Sequence, residues 1–367
     1  MNQIKGVQFE VKKNNFIKNR IVEVPENELE LLNGEILVHV DLFSFTSNNI
    51  TYAVSGEIIR YWEFFPSSGK QSDGWGIIPV WGFADVIESR ADVIPVGDRV
   101  FGYFPPATHL KLKPGKITLM GFEDLSEHRS NLPKTYNIYR RVLSELNYDR
   151  KFDRDRSLFY PLFVTSFCLW DSLQENNWYG ADQVLILSAS SKTSIGLAYG
   201  LHIDATAPMT IGITSTRNLQ NVKKLRLYDQ ILTYDQLNDL DTTIQTTIVD
   251  MSGNNIVVAS LHKRLGDLMK FTVKVGLTHW KELNPNKDII KDRSNFFFAP
   301  SYIQKRIEDL GGDEFDKKIT QFLLEAISET RKWLEYKNLY GLDSLTQLYP
   351  SVCDGEIPAN QGLIVKM

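Results

Sequence analysis

Val184-Leu-Ile-Leu-Ser-Ala-Ser-Ser-Lys-Thr-Ser-Ile-Gly196 decides how the rest of this chain is read. An apolar run of strand type meets a turn of small residues, and the turn opens a helical pattern. Strand, tight turn and helix in that order are the layout of a dinucleotide-binding βαβ unit. The fingerprint of such a unit uses glycine for the turn itself, for backbone approach to a pyrophosphate and for helix–strand packing. Here Ser188, Ser191 and Ser194 stand in the glycine places. Serine adds a Cβ and restricts positive φ, yet its hydroxyl can donate to a phosphate. The stretch is not a P-loop, because the glycines that must precede Lys192 are absent.

A helix that starts at this turn offers N–H groups and a positive dipole end to an anion. Ser188, Ser190, Ser191, Lys192 and Thr193 are therefore the candidate pyrophosphate contacts. The alternative is that the serines only cap the helix and Lys192 faces water. The next strand ends Thr214-Ser215-Thr216-Arg217-Asn218. An NAD site places an acidic residue at that end to accept from the ribose 2′-OH. Hydroxyls and a guanidinium instead suit a 2′-phosphate, which an acid would repel. Ser215, Thr216 and Arg217 thus favour NADP(H) over NAD(H), against the alternative of a helix cap and a solvated arginine.

Outward from this turn the chain divides by pattern. The first ~110 residues are β-rich, with alternating strands at Ile36 to Phe43 and His109 to Lys113 and an extended segment from Ile77 to Ile87. Tyr136 to Asn147 has helical spacing, and Asp149-Arg-Lys-Phe-Asp-Arg-Asp-Arg156 is a mixed charge run expected to be a solvated connection. From Leu158 helix and strand alternate: a helix from Phe159 to Asn177, strands at 184–187, 210–214, 243–250 and 271–275, and helices between them. That alternation predicts an α/β fold with a doubly wound parallel sheet. Phe315 to Lys337 reads as a long amphipathic helix. Gly362 to Met367 reads as a terminal strand whose natural host is the N-terminal β domain. The expected division is 1–157 with 315–367, and 158–314.

Bulk properties exclude several classes. The chain has 367 residues, 43% hydrophobic and 23% charged, with net charge -4, which gives no global attraction to nucleic acid or anionic membrane. No apolar run is long enough to span a bilayer, and the N-terminus lacks a signal-peptide core. The expectation is a cytoplasmic, reduced protein with no nucleic-acid or membrane partner. The two cysteines, Cys168 and Cys353, have no metal-ligand spacing.

Four stretches together resemble the medium-chain dehydrogenase/reductase superfamily: Gly34 to Asn49, Pro79 to Ser89 with Pro95-Val-Gly-Asp-Arg-Val-Phe-Gly102, Val184 to Gly196, and Thr247-Ile-Val-Asp-Met-Ser-Gly253. The resemblance implies a GroES-like β domain, then a Rossmann domain, then a return to the first. The zinc branch carries Gly-His-Glu where this chain has Gly82-Phe83-Ala84, and a cysteine ligand where it has Phe45 to Asn49. Phe and Ala supply no donor, so the resemblance is to the zinc-free, quinone-reductase-like branch, with no metal. The Ser-Ala-Ser-Ser-Lys-Thr turn and the Val275-Gly-Leu-Thr-His-Trp280 segment are similar to a branch described as a domain of unknown function.

In the zinc-free branch a loop polar residue and an aromatic hydroxyl lie near the substrate carbonyl, which the resemblance maps to Asn48, Asn49 and Tyr52. Asn49 and Tyr52 are the expected site lining, with packing as the alternative. His279 is a candidate proton donor and Trp280 a candidate stacking surface, each set against a structural role. Tyr61-Trp-Glu-Phe-Phe65 lies in a loop longer than the fold requires and is read as an aromatic lid or as a protein contact, since relatives commonly form homodimers. The implied function is an NADP(H)-dependent, zinc-independent reduction of a carbonyl or activated C=C bond in a small apolar or planar substrate. The alternative is a scaffold that has lost hydride chemistry and serves as a ligand-binding module or as a non-redox enzyme in the inter-domain cleft.

Overall fold

The computed structural model describes residues 5–68, 72–276 and 288–367. Its strands, in chain order, are β1 (Gly6–Lys12), β2 (Asn15–Val24), β3 (Ile36–Phe45), β4 (Trp75–Gly76), β5 (Val80–Ser89), β6 (Arg99–Phe104), β7 (His109–Leu112), β8 (Pro114–Gly115), β9 (Gly121–Asp124) and β10 (Ile138–Arg141). They continue with β11 (Gln183–Leu187), β12 (Met209–Thr214), β13 (Gln230–Thr233), β14 (Thr246–Asp250), β15 (Met269–Lys274), β16 (Ser294–Phe296), β17 (Glu335–Tyr340) and β18 (Gln361–Lys366). The helices are α1 (Glu26–Leu29), α2 (Ser47–Val54), α3 (Asp153–Glu175), α4 (Lys192–Ile203), α5 (Leu219–Leu225), α6 (Asn255–Leu265), α7 (Ala299–Leu310), α8 (Gly312–Thr330) and α9 (Gly341–Cys353).

The chain forms two compact units. One holds residues 1–158, 335–357 and 361–367; the other holds 159–334 and 358–360. In the first, a small sheet β2-β1-β4 accompanies a larger one ordered β17-β18-β3-β5-β6-β10-β9-β8, with β7 also beside β3. The terminal strand β18 pairs antiparallel with β3, joining Leu363 to Phe45 and Val365 to Phe43. This is the GroES-like β unit with the expected C-terminal return.

The second unit contains a parallel sheet ordered β13-β12-β11-β14-β15-β16, the order of a dinucleotide-binding Rossmann sheet. β11 and β14 are buried at every position, as central strands covered on both faces must be. Successive residues of β11 feed opposite layers: Val184 and Ile186 join one apolar cluster, Leu185 and Leu187 the other. The chain direction of connection reverses between β11 and β14. Sheets of this order bind ligands at such a switch point, outside the carboxyl ends of the strands. No described helix is long and apolar enough to cross a membrane.

Three expectations are corrected. The charge run at 149–156 is a solvated connection only at its start, where Arg150 and Lys151 are exposed: α3 starts at Asp153, and Asp153 and Asp155 are buried. Arg99 explains part of this, because its guanidinium bonds Asp153, Asp85 and Asp41 at 2.6–2.7 Å; Tyr336 bonds Asp155. Tyr136 to Asn147 is not a helix. Its centre is β10, which pairs with β6 and β9; strand partners far along the chain override the local spacing. Residues 315–334 belong to the second unit, where Phe322 of α8 stacks on Trp170 of α3 at 5.9 Å, and only β17, α9 and β18 return to the first.

Candidate nucleotide site

At one position the turn after β11 adopts the backbone that glycine favours, with a serine side chain there. Ser188 has φ +62°, in the left-handed region that costs an L-residue about 1–2 kcal/mol. Its carbonyl accepts from Ser191 N–H at 2.8 Å, closing the turn, and Ala189 N–H donates to Ile213 O of β12 at 2.8 Å. Ser191 is the N-cap of α4: its Oγ accepts from Ser194 N–H at 3.2 Å and lies 2.8 Å from Ser194 Oγ. Both readings of the serines therefore meet here, since the capping hydroxyl belongs to the same turn that would cradle a phosphate.

Gly196 shows which glycine the fold could not replace. A Cβ there would come within 2.5 Å of Ser166 Oγ and 2.7 Å of Phe163, so α4 packs on α3 only through a bare backbone. Ser166 Oγ also donates to Thr193 O at 2.8 Å, fixing the first turn of α4.

Lys192 is the first residue of α4. Its ammonium donates to Ala359 O at 3.1 Å, and burial pulls its pKa down to about 8. It is not the solvated lysine of the alternative reading. Thr193 sits beside it, partly buried.

At the end of β12, Thr214 Oγ1 and Ser215 Oγ are buried with no hydrogen-bond partner among the described residues. Buried hydroxyls without partners are uncommon in native proteins, and these two fall where the 2′-substituent of a nucleotide would be read. Thr216 Oγ1 donates to Asp235 Oδ2 at 3.2 Å. Arg217 is exposed. Asp235 is an acid that the strand end itself lacks, brought in from the segment after β13.

Several residues of this site come from elsewhere in the sequence. Asn218 Nδ2 donates to Ser190 Oγ at 3.0 Å. Tyr234 Oη accepts from Ser188 N–H at 3.0 Å, and Tyr228 Oη donates to Ala189 O at 2.8 Å. Asp250 ends β14 and is buried; its Oδ1 accepts from Ser252 N–H, Ser252 Oγ and Gly253 N–H at 2.7–3.0 Å. Burial holds its carboxyl above the usual range despite those donors. The only signal for Tyr228 and Tyr234 in the sequence was their place on either side of a strand.

In the first unit the candidates part ways. Asn49 is fully committed: its Oδ1 accepts from Thr46 N–H at 2.8 Å and its Nδ2 donates to Pro79 O at 2.8 Å. It caps α2 in a capping box and has little left for a ligand. Tyr52 packs against Tyr61 and Tyr103, with ring centroids at 4.6 and 5.9 Å, and burial holds its phenol in the neutral form. Tyr103 Oη is buried without a partner among the described residues. Tyr61 Oη and Tyr136 Oη lie 3.0 Å apart. Tyr61, Trp62, Phe64 and Phe65 are all buried, so the aromatic segment is core and not a lid. Trp62 fits there because Gly56 and Gly76 flank it; a Cβ on either would come within 2.1 or 2.6 Å of its ring. His279 and Trp280 lie outside the described residues.

A sequence family described as "Protein of unknown function (DUF2855)" matches residues 43–358. No curated protein matches the chain. Among solved structures, CurA from Vibrio vulnificus in complex with NADPH is similar at TM-score 0.62 and 12% identity, over 98% of this chain and 99% of that one. Mycobacterial Rv1454c complexed with NADPH is similar at 0.60 and 14%, over 99% and 100%. A putative NADPH:quinone reductase from Bacillus thuringiensis is similar at 0.59 and 12%, over 99% of each. At these identities the likeness is one of fold alone, an antiparallel β unit with a parallel Rossmann-type sheet.

Proposed function

This chain belongs to the DUF2855 family, and we propose from the site just described that it is a zinc-independent, NADP(H)-dependent oxidoreductase. Its substrate is an apolar molecule with a carbonyl or an activated C=C bond. The observation that carries the reading is Ser188 at φ +62°: the chain spends strain to keep a glycine-type turn at the head of α4, and a mere helix cap needs none. The unpartnered hydroxyls of Thr214 and Ser215 support a group that accepts hydrogen bonds at the end of β12. The three solved relatives cited above carry NADPH in their descriptions.

When bound, the nicotinamide supplies the hydride. The chain's own residues bind and orient. Ser190, Ser191 and Thr193 offer hydroxyls, the start of α4 offers its dipole, and the Lys192 ammonium adds a full charge beside the diphosphate. Arg217 pairs with the 2′-phosphate. Asp235 opposes that phosphate and makes the preference for NADP(H) a difference between two nearby charges. Tyr52 is proposed as the neutral donor to the substrate oxygen; Asn49 fixes the start of the helix that carries it. Phe83 and Ala84, buried in β5, offer no zinc ligand.

A second reading is favoured by one observation: the protein's own atoms already occupy Ser188 N–H and the Lys192 ammonium. In that case the scaffold persists without hydride chemistry. Titration with NADPH and NADH, followed by Trp fluorescence and by thermal stabilisation, separates the two. NADPH is expected to quench and stabilise more than NADH. Silence toward both at millimolar concentration refutes the redox reading.

A further inference from the structure

We infer that Tyr228 is a positioning residue for the phosphate turn, holding the serine-bearing loop in the orientation that glycine would otherwise allow. The inference rests on the nucleotide reading of that turn and adds a residue to it. Tyr228 Oη donates to Ala189 O at 2.8 Å and lies 3.4 Å from Ser194 O. The two carbonyls sit on either side of the α4 N-cap, so one phenol ties the turn to the first turn of the helix.

Peptide geometry gives the bond a consequence. No peptide bond among the described residues is cis, so the Ala189 carbonyl and the Ser190 N–H point in opposite directions. Tyr228 is buried and holds that carbonyl inward. The Ser190 N–H is therefore turned away from Tyr228, which leaves it free of the carbonyl's side of the turn. Ser188, just before this peptide, lies in the left-handed region, and an L-residue tends to leave that region. The phenol opposes that tendency.

The chain has made room for the brace. A Cβ on Gly212 of β12 would meet the Tyr228 ring at 2.8 Å and Ala189 Cβ at 3.0 Å, so the ring reaches the turn only across a glycine. The backbone at the foot of Tyr228 is clamped to β12: Thr210 N–H donates to Asp229 Oδ2 at 2.7 Å, and Asp229 N–H donates to Thr210 O at 3.0 Å. Burial also keeps the phenol protonated throughout the working pH range, so it remains a donor.

The test is a cycle of Tyr228→Phe and Ser188→Gly, singly and together, in the full chain. Phenylalanine keeps the ring against Gly212 and removes only the hydroxyl. NADPH and NADH affinities are read by fluorescence titration. Amide hydrogen exchange of the 186–194 segment is read without nucleotide. Tyr228→Phe is expected to weaken both nucleotides about tenfold, the scale of one lost hydrogen bond, and to speed exchange in the turn. Ser188→Gly in the same chain should restore both readings to within about twofold, because glycine needs no brace. Unchanged affinity and exchange in Tyr228→Phe overturn the inference. An equal loss with and without Ser188→Gly also overturns it, because the phenol then acts only on general stability. If the wild type binds neither nucleotide while the exchange cycle shows the coupling, the brace stands and the redox reading falls.

Discussion

Nucleotide affinity in this protein should fall as pH rises from 7 to 9, and Lys192 should be the cause. Its ammonium is held at the head of α4 with a pKa near 8 because burial penalises the charge. At pH 7 about nine-tenths of it is protonated, and at pH 9 about one-tenth, by the ordinary titration curve. If only the ammonium form pairs with phosphate, the apparent Kd scales inversely with that fraction. The expected rise is about tenfold, or ~1.4 kcal/mol. The 2′-phosphate titrates near pH 6 and adds little above 7. Conformational stability should move the other way. The folded pKa is lowered from 10.5, so between about 8 and 10.5 the unfolded chain binds more protons, and stability rises with pH through that window. The assay is fluorescence titration of NADPH from pH 6.5 to 9.5, for the wild type and Lys192→Met, with denaturant melts at the same pH values. The variant should bind more weakly at pH 7 and show a flat profile. A flat wild-type profile, or the same slope in Lys192→Met, refutes the reasoning.

Ser188→Gly should stabilise the chain by about 1 kcal/mol, the relief of left-handed strain less the extra freedom of an unfolded glycine; an unchanged or lower denaturation midpoint would contradict the φ value. Arg217→Ala should weaken NADPH by about 1–3 kcal/mol while leaving NADH nearly unchanged, and Asp235→Ala should shift preference the opposite way, toward NADPH; paired titrations with the two nucleotides check both. Arg129→Met should cost about 3–5 kcal/mol by leaving Asp124 buried without its partner, since that guanidinium bonds Asp124 at 3.0 Å and Tyr139 Oη at 2.8 Å; a denaturant midpoint within error of the wild type would oppose it.

Much of the fold could be read from local pattern. The fully apolar run at 184–187 must be covered on both faces, and helices alternating with strands after it force parallel crossovers. The strand end at 214–217 was legible for the same reason: chemistry carried by consecutive residues survives folding. The apolar end of the chain at 362–367 likewise announced a strand in need of a sheet. Where the pattern misled, a distant partner had overruled it. The charges at 153 and 155 became buried because Arg99 and Tyr336 meet them there. Tyr136 to Asn147 lost its helical spacing to strands on both sides.

The candidate site shows the same division. Sequence alone determined that a strand–turn–helix unit with hydroxyls and a lysine stands at the head of α4, because each of those features lies within a few residues of the next. Only tertiary structure decided what each side chain does. It assigned Asn49 to a cap, the segment 61–65 to the core and Lys192 to a carbonyl of residue 359. It also brought Tyr228, Tyr234 and Asn218 to a turn from which 28 to 46 residues separate them. Burial and hydrogen bonding depend on which surfaces meet, and no window along the chain contains both surfaces.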